Sequence, residues 1–390
     1  MADAALMARV IAFYLPQFHP TADNDRWWGT GHTEWTDVAS SVPLFRGHRQ
    51  PRVPTELGHY DLRCAESRDA QARLAALHGI ESFCYWHYWS GGRRLLERPF
   101  AEVRASGEPE LGFCLAWANE SWRRTWFDGS RSPAVLMEQV HPEGDDEAHA
   151  RWLVEAFADP RYTTIGSRPL FVVYRPAHLP DARRFCDILR RTATEAGLPE
   201  PYLVGGDGQC PGVDCRTLGF DATLSFQPQL GVLPGGTGDA GSARRLARNL
   251  RLGVPSTAPS LYPEAAARAR FAAARAANPH PTIPTVLVGW DNTPRRGSHG
   301  LVLVPPSPAH SGFAGAMAQA VAEVRDQPAA ERLVFVNAWN EWGEGNYLEP
   351  DLASGRAYLD ALAAAVGAGT PPTAPAAPTA ATASASTAIA

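Results

Sequence analysis

Short runs of β-branched and aromatic residues alternate along the chain with Ala-, Leu- and Arg-rich segments whose apolar positions recur every three or four residues. This alternation is typical of βα units around a parallel sheet. The apolar runs predict about eight strands, at Val10–Tyr14, Ser82–Trp89, Leu111–Trp117, Leu170–Tyr174, Tyr202–Gly205, Ala222–Phe226, Thr285–Trp290 and Leu333–Ala338. The periodic segments predict helices at Ser67–Leu77, Glu147–Phe157, Asp181–Ala196, Pro263–Ala276, Phe313–Arg325 and Gly355–Ala365. Eight such units predict an α/β fold, a closed (β/α)₈ barrel of the TIM type.

Two stretches depart from the alternation. His19–Leu57 is rich in tryptophan and too long for an ordinary connection, so we interpret it as a loop that caps the C-terminal rim of the barrel. Gly231–Ser260 is rich in Gly, Pro and Arg and is interpreted as irregular. The predicted organisation is a lead at 1–8, one barrel domain at 9–366 and a disordered tail at 367–390, which is almost entirely Ala, Thr, Pro, Ser and Gly.

Polar and aromatic residues cluster where the predicted strands end. The clusters are Gln17–His19, His87–Trp89, Asn119–Glu120, Asp207, Gln227, Trp290–Asn292 and Asn340–Glu341. Because the strands of a barrel all end at the same rim, and barrel active sites are built at that rim, these side chains predict one shared site. Among them, His87, Tyr88, Trp290 and Asp291 are predicted to bind substrate, with a core position as the alternative for His87.

The turn after the last predicted strand carries two carboxylates, Glu341 and Glu344, among the rings of Trp339, Trp342 and Tyr347. Sugars stack on aromatic faces, and glycoside cleavage needs one carboxyl that is protonated and another that is ionised. Glu341 and Glu344 are therefore predicted to be catalytic. Their neighbours Asn340 and Trp342 are predicted to bind the substrate.

A second Asn–Glu pair follows the strand that ends at Trp117. In many barrel glycosidases an Asn–Glu in such a position supplies the acid/base, so Glu120 is a rival to Glu344. Glu120 has two other possible roles, binding a sugar hydroxyl or orienting one of the arginines that follow it. Trp117 and Asn119 are predicted to bind substrate with it.

The capping stretch supplies a third group of candidates. Trp27, Trp28, Glu34 and Trp35 are predicted to bind substrate, with the alternative that the tryptophans form the cap's own small core. The triplet Asp23–Asp25 formally matches the DxD with which nucleotide-sugar glycosyltransferases hold a divalent metal. Such triplets arise often by chance, and no metal ligand is predicted from this one.

Composition narrows the chemistry. The formal charge of −5 and the pI near 6.2 give no electrostatic footprint for nucleic acid or for an anionic membrane. All 36 basic residues are arginine, which excludes lysine Schiff bases, pyridoxal phosphate anchoring and the lysine of a phosphate loop. The six cysteines form no CxxC pair and are expected to be reduced thiols. No cofactor is predicted, and the expected partner is a glycan.

Targeting signals are also lacking from the sequence. Met1–Val10 has no apolar stretch of signal-peptide length, and nowhere do about 18 apolar residues run unbroken. The expectation is a cytoplasmic protein without stable membrane insertion.

Several motifs together resemble those of the WbsX family of bacterial polysaccharide-locus proteins, which is similar to glycoside hydrolase family 99, the endo-α-mannosidases. The motifs are Tyr14–Pro20, Asn24–Gly29, Glu34–Val38, Leu57–Arg63, Trp117–Glu120, Trp290–Thr293 and Trp339–Trp342. The resemblance covers roughly residues 9 to 366. It implies a (β/α)₈ barrel and, for family 99, a retaining mechanism in which the 2-hydroxyl of the substrate is the nucleophile.

By this resemblance Glu341 matches the base that deprotonates the 2-hydroxyl, and Glu344 matches the acid/base that protonates the departing oxygen. The chain has Gly343 where the mannosidases carry a histidine, in agreement with the WbsX group. The function expected is retaining cleavage, or transglycosylation, of a glycosidic bond in a cell-surface polysaccharide or its precursor. A nucleotide-sugar-dependent glycosyltransferase of O-antigen or lipopolysaccharide biosynthesis and a catalytically silent glycan-binding module are the alternatives.

Overall fold

The structure is a computed structural model that describes residues 6–124, 134–208, 210–234 and 258–368 of the 390-residue chain. In these ranges eight parallel strands form one sheet, and because the first strand pairs with both the second and the eighth, the sheet closes into a barrel. The strands are β1 Arg9–Tyr14, β2 Ile80–Ser90, β3 Gly112–Trp117, β4 Arg168–Val173, β5 Tyr202–Gly206, β6 Ala222–Ser225, β7 Ile283–Leu287 and β8 Leu333–Asn337. The predicted barrel is confirmed, and each predicted strand end lies within three residues of the observed one.

Helices connect most of the strands and cover the barrel from outside. They are α1 Ala22–Trp28, α2 Glu34–Ser40, α3 Ala65–Leu77, α4 Arg98–Ser106, α5 Asp145–Phe157, α6 Ala182–Glu195, α7 Glu264–Ala276, α8 Thr293–Arg296, α9 Ser311–Val324 and α10 Ala357–Val366. All six predicted helices are confirmed. The additional helices are short, so each offers too few apolar repeats for periodicity to reveal it.

The capping stretch after β1 contains two short helices, α1 and α2. Thr21 starts α1 by accepting a hydrogen bond from the backbone N–H of Asn24 at 3.1 Å. At the start of α2, the N–H of Thr33 donates to the hydroxyl of Thr36 at 3.1 Å. These local caps stabilise helices of one to two turns that the hydrophobic pattern alone does not indicate.

Short strands outside the barrel stiffen its connections. They are Arg93–Leu95 against β2, Thr164–Ile165 against β4, Trp122–Arg123 with Val135–Met137, Ser260–Pro263 with Leu301–Val304, and Asn340–Glu341 with Asn346–Tyr347. Between β5 and β6 the described residues form a 3₁₀ turn, Cys215–Leu218, where a barrel helix would usually lie. Most of the stretch predicted to be irregular, 235–257, lies outside the described residues, as do 1–5 of the lead and the tail from 369.

Aromatic side chains fill the barrel interior. Phe13 of β1 stacks on Trp86 of β2, with 4.8 Å between the ring centroids, and contacts Phe226 at 5.3 Å and Phe335 of β8 at 5.4 Å. Trp86 is only partly buried, whereas Phe13 and Phe335 are inaccessible to water. These rings therefore close the barrel beneath its C-terminal mouth. None of the helices in the described ranges is both long and apolar enough to cross a membrane.

Candidate active site

A hairpin after β8 carries both candidate catalytic carboxylates. Its strands, Asn340–Glu341 and Asn346–Tyr347, are joined through a 3₁₀ turn at Trp342–Glu344. The hairpin closes at Gly345, whose φ is +57° and where a Cβ atom would lie only 2.9 Å from the Cβ of Asp291. Glycine suits this position because other residues rarely adopt that φ and have no room for a side chain. The hairpin thereby holds Glu341 and Glu344 at the C-terminal rim.

The two carboxylates converge on one guanidinium. Arg295 of α8 contacts Glu341 Oε2 through Nη2 at 3.0 Å and Glu344 Oε1 through Nη1 at 2.9 Å. The side chain of Glu341 is 9% exposed and that of Glu344 is 24% exposed. Both groups therefore belong to one site, with Glu344 the more open to the barrel mouth.

Glu34 is the third carboxylate on Arg295, and it lies beneath the other two. Its Oε1 accepts hydrogen bonds from Arg295 Nη2 at 2.6 Å, from Arg295 Nε at 3.1 Å and from the backbone N–H of Gly343 at 2.8 Å. Its Oε2 accepts from Gln17 at 3.2 Å. Because Glu34 is fully buried and both of its oxygens have partners inside the protein, it supports the site, and its direct contact with substrate stays a prediction.

Three carboxylates share one strong cation, so the cluster retains protons. Burial raises the pKa of Glu341 to about 8; Arg295 opposes this shift, while the charges of Glu344 and Glu34 add to it. Burial likewise raises the pKa values of Glu344 and Glu34, again against Arg295. With a pKa of about 8, Glu341 favours its protonated form near neutral pH, and a carboxyl group that can hold and release a proton is what acid/base chemistry requires.

Asn340 and Asn119 were predicted to bind substrate, but their amides bind the backbone. Asn340 accepts from the N–H of Leu15 at 2.7 Å and donates to the carbonyl of the same residue at 3.0 Å. Asn119 makes the same pair of bonds with Arg175, both at 2.8 Å. Each amide therefore extends the pairing of two neighbouring strands at the rim.

Glu120 lies at the mouth with a cation of its own. Its carboxylate pairs with Arg175, and its side chain is 39% exposed. The guanidinium of Arg175 also lies over the ring of Tyr174, 5.3 Å from its centroid. Glu120 is thus accessible to a ligand, but it belongs to a different ion pair from Glu341 and Glu344.

Tyr88 lies between these two groups of charges. Burial raises its pKa, and the negative charges of Glu341 and Glu120 raise it further, which locates the phenol close to both. Trp122 packs against it with a ring-centroid distance of 5.1 Å, and Trp27 packs against Trp122 at 5.6 Å. The wall of the mouth beside Glu341 is therefore aromatic, and Trp27 is part of its packed core.

Trp28, the neighbour of Trp27, is partly exposed at the edge of the same wall. Arg124 lies over its ring, 5.0 Å from the centroid, and also donates to the carbonyl of Trp27 at 2.8 Å. One face of Trp28 is therefore already occupied by a guanidinium.

Trp35 and Trp342 support the catalytic hairpin from behind. Trp342 is fully buried, stacks on Tyr347 with 3.7 Å between centroids and donates to the buried carboxylate of Glu349 at 2.6 Å. Trp35 packs against Trp342 at 5.3 Å and donates to the carbonyl of Tyr60 at 2.8 Å. Both indoles are buried with their N–H groups in use, so they pack against the hairpin, and their contact with substrate stays a prediction.

Asp291 orients the helix that carries Arg295. Its Oδ1 accepts from the hydroxyl of Thr293 at 2.6 Å, and its Oδ2 accepts from His48 at 2.9 Å and from Gln50 at 2.8 Å. Burial alone would raise the pKa of Asp291, but the hydrogen bond from His48 and the charge of Arg52 hold it well below the usual range. This carboxylate therefore ties the cap to α8, and its contact with substrate stays a prediction.

His87 and Trp117, also predicted to bind substrate, contact the surrounding helices, and Trp290 lies in an apolar cluster. The Nε2 atoms of His87 and His149 of α5 lie 2.9 Å apart, and burial lowers the pKa of His87 to about 3, so it is a neutral core histidine. Trp117 is buried and donates to the carbonyl of Trp89 at 3.0 Å. Trp290 is buried in a separate apolar cluster beside α7.

The DxD triplet lies on α1, where residues two apart point to different sides of the helix. Asp23 pairs with Arg93 and Arg26, while Asp25 accepts from the backbone N–H of Gly31 at 2.8 Å. In the part of the chain that the structure describes, no group of three or more His, Cys, Asp or Glu side chains could hold a metal ion. The two aspartates therefore do not face a common point.

The sequence analysis missed Arg295 and Arg175, the cations of the two ion-pair groups. One signal was present: a group of buried carboxylates favours a cation nearby, and in a chain without lysine arginine is the side chain that always carries a positive charge. Arg295 lies three residues after the Trp290–Asn292 cluster, and Arg175 directly follows the predicted fourth strand.

Two solved structures resemble this chain over most of its length. A chain titled "Glycoside hydrolase-like protein" superposes with a TM-score of 0.53 at 12% identity, covering 92% of this chain and 94% of that one. The GH99 endo-α-mannosidase from Bacteroides thetaiotaomicron superposes with a TM-score of 0.49 at 16% identity, covering 92% and 96%. At 12% identity the first likeness bears on the fold alone.

Sequence comparison gives nearer relatives. Two proteins named "Uncharacterized protein WxcX" from strains of Xanthomonas campestris pv. campestris are 40% and 39% identical over 363 and 374 residues. The matches cover 93% of this chain and 50% of each relative, so the chain spans about half the length of these curated relatives. The model of the family described as "Glycosyltransferase WbsX" matches residues 10–362. By this match over nearly the whole barrel, the chain belongs to the WbsX family.

Proposed function

We propose that this protein is a carbohydrate-active enzyme that cleaves a glycosidic bond with retention, or transfers the glycosyl group to another glycan, and that Glu341 and Glu344 carry the reaction. The observation that carries the proposal is the convergence of both carboxylates on Arg295 at the rim of a closed (β/α)₈ barrel. The proposed substrate is a cell-surface polysaccharide or its precursor.

The roles follow from the resemblance of the Trp339–Trp342 segment to family 99 and fit the exposure of the two groups. Glu344 is the more accessible carboxylate, as suits a group that protonates the departing glycosidic oxygen and later activates water. Glu341 lies deeper, as suits a base that receives the proton of the sugar 2-hydroxyl.

One shared proton is sufficient to begin such a reaction. In the free protein the raised pKa of Glu341 lets that residue hold the proton near neutral pH. A sugar 2-hydroxyl that donates a hydrogen bond to Glu341 favours its ionised form. The proton then passes to Glu344, where the leaving oxygen needs it. The reaction proposed here requires no metal and no organic cofactor.

The aromatic wall supplies the complementary surface for a sugar. Tyr88 and the edge of Trp28 border the mouth, and Trp86 forms part of its partly exposed floor. Glu120 and Arg175 follow the two next strands of the barrel, β3 and β4, where they can hydrogen-bond a further sugar unit. In this proposal Glu120 binds substrate and is not the acid.

The test is to incubate the protein with α-mannoside and O-antigen fragments and to separate the products. The wild type is expected to release a shorter glycan or form a transfer product, and Glu344→Gln to lose activity by roughly 10²- to 10⁴-fold. Turnover of the fragments that is equal in wild type and Glu344→Gln would sink the proposal.

A nucleotide-sugar-dependent glycosyltransferase is the second candidate, favoured by the name of the family. A transferase predicts that a nucleotide sugar raises the midpoint temperature of thermal unfolding and that the protein lengthens an acceptor glycan. If Asp23 and Asp25 held a metal, a chelator would abolish that activity. A silent glycan-binding module instead predicts glycan affinity without turnover, which both Glu341→Gln and Glu344→Gln would retain.

A further inference from the structure

Three separate elements meet at the guanidinium of Arg295. α2 contributes Glu34, the hairpin turn contributes Gly343 with the two candidate catalytic glutamates, and α8 contributes the arginine itself. The side chain of Arg295 is 9% exposed. Each terminal nitrogen contacts a different candidate catalytic carboxylate, and Nη2 and Nε also contact Glu34.

The absence of a side chain at Gly343 is what permits this arrangement. A Cβ atom there would lie 2.1 Å from Glu34 Oε1 and 2.8 Å from Arg295 Nε, both far inside van der Waals contact. The same Oε1 accepts the backbone N–H of Gly343 at 2.8 Å, so Glu34 reaches into the turn itself. Glu34 and Arg295 therefore occupy the volume that any other residue at 343 would need.

We propose that Arg295 is a positioning residue of the active centre, and that Glu34 holds it so that its two terminal nitrogens fix the carboxylates of Glu341 and Glu344 relative to each other. This inference rests on the proposed function of that carboxylate pair. Glu34 acts one step further away, through the arginine. A lysine in place of Arg295 could not make these contacts, because one ammonium cannot present separate nitrogens to both carboxylates and to Glu34 at once.

The consequence is electrostatic as well as geometric. Without the guanidinium of Arg295 the two candidate catalytic carboxylates would lose the cation that they share, and only the charge of Arg296 would still act on Glu344, so both would hold protons more tightly. A fixed cation leaves the pair able to lose a proton in the working pH range and keeps the two oxygens at a constant separation.

The experiment follows proton binding directly and needs no glycan. The full chain is labelled with ¹³C at the glutamate side-chain carboxyl, and the resonances of 341 and 344 are assigned with Glu341→Gln and Glu344→Gln. Arg295→Gln is expected to raise the titration midpoint of the pair by at least one pH unit, a tenfold or larger rise in proton affinity. An unchanged midpoint would overturn the role of Arg295.

Glu34→Gln decides whether Glu34 holds the arginine, because two effects have opposite signs. If Arg295 stays in place without Glu34, removal of one negative charge lowers the midpoint of the pair. If Arg295 moves away, its loss raises the midpoint, as in Arg295→Gln. The proposal predicts a rise, and a fall would overturn the role of Glu34.

Arg268→Gln is the matched control. Arg268 is also largely buried and also pairs with a glutamate, Glu264, but its other described hydrogen bonds go to the carbonyls of Leu287 and Val288 and not to the carboxylates around Arg295. The Arg268→Gln variant should leave the titration midpoint of Glu341 and Glu344 unchanged. A shift of that midpoint equal to the shift in Arg295→Gln would overturn the proposal.

If Arg295→Gln does not fold, Arg295→Lys is used in its place, because lysine keeps the positive charge. The proposal predicts that Arg295→Lys also raises the titration midpoint of the pair. An unchanged midpoint in this variant would overturn the proposal. Loss of catalysis in any glycan panel would bear on the proposed function, whereas these titrations bear on the positioning of the pair alone.

Discussion

Two Asn–Glu pairs follow barrel strands, one after β3 and one after β8, and their asparagines make the same bonds. The amide of Asn119 pairs with the backbone N–H and carbonyl of Arg175, beyond the end of β4. The amide of Asn340 pairs in the same way with Leu15, beyond the end of β1. In both places the asparagine adds one rung to the strand ladder and holds its glutamate at the rim.

The glutamates of the two pairs differ in how many carboxylates share the arginine that neutralises them. Arg175 pairs with Glu120 alone among the described residues, whereas Arg295 is shared by Glu341, Glu344 and Glu34. Burial raises the pKa of Glu120 as well, yet its side chain is 39% exposed, so water screens its charge. The same Asn–Glu dipeptide is thus part of a neutralised ion pair at Glu120 and of a cluster that holds a proton at Glu341. The number of carboxylates for each guanidinium distinguishes these two sites, whereas the Asn–Glu motif is the same in both.

The largest expected difference is in turnover. Glu341→Gln removes a group that must change its protonation during the reaction, so kcat is expected to fall by roughly 10²- to 10⁴-fold. Glu120→Gln keeps the size and hydrogen-bonding capacity of a group that only binds, so its effect should lie mainly in KM and stay below about tenfold. Both variants are compared on the same glycan with initial rates. Equal losses of kcat would abolish the distinction between the two pairs and restore Glu120 as the acid.

The next difference is in how stability depends on pH. Glu341 has a pKa of about 8 in the folded protein, above the ordinary glutamate value of 4.5. A group whose folded pKa is raised contributes stability that is fully present below the unfolded pKa and is lost as pH rises through the folded pKa. Relative to Glu341→Gln, the wild type should therefore lose about 1.4 kcal/mol of unfolding free energy per pH unit between these two values.

Urea unfolding at pH 5, 6, 7 and 8 measures this difference. Glu349 is buried and has a pKa of about 7, but it is present in both proteins, so its own slope cancels in the comparison. Glu120→Gln is expected to change the pH dependence much less, because solvent screens that carboxylate. If the difference in unfolding free energy between wild type and Glu341→Gln is the same at every pH, Glu341 does not hold a proton with a raised pKa in the folded protein.

The crowding at Gly343 gives a smaller, purely structural effect. Gly343→Ala forces a methyl group against Glu34 and Arg295, and the buried ion pair must separate or the turn must move. A loss of about 3 kcal/mol in unfolding free energy is expected.

Gly315→Ala serves as its control. Gly315 lies inside α9 with open space around it, so alanine there should stabilise the helix by about 0.5–1 kcal/mol. A neutral Gly343→Ala variant would mean that Glu34 does not fill the turn.

The barrel could be predicted from the sequence because each strand is encoded by a short, continuous run of residues. A parallel strand covered by helices is apolar along its length, so all eight strands could be found from short runs alone. The direction in which a strand residue points is harder to predict, because it depends on the register with neighbouring strands. Trp86 and Tyr88 face the interior and mouth, whereas His87 between them faces α5, and its position at a strand end does not reveal this.

The cations of the site were hidden for a different reason. Glu34 and Arg295 are 261 residues apart in the chain, so no local pattern joins them. The same holds for Asn340 and Leu15, 325 residues apart, where an amide that suits a sugar hydroxyl suits a backbone equally well. A rim motif therefore shows which residues lie near the site, but only the fold shows which of them already have partners.

The smallest expected effects come from the asparagines of the two pairs, Asn119 and Asn340. Replacing either by alanine leaves the backbone N–H and carbonyl of the neighbouring strand without these two partners, so each variant should lose about 2 kcal/mol of unfolding free energy. Asn340→Ala also removes a longer hydrogen bond to the hydroxyl of Tyr60, at 3.3 Å. Their effects on turnover should differ, because Asn340 fixes the residue next to Glu341, whereas Asn119 fixes the residue next to a binding group. Denaturant unfolding and initial rates on both variants give the comparison. Asn340→Ala should lower kcat at a temperature where the protein stays folded, and Asn119→Ala should leave kcat close to wild type. The opposite order would mean that the β3 rim, and not the β8 rim, carries the chemistry.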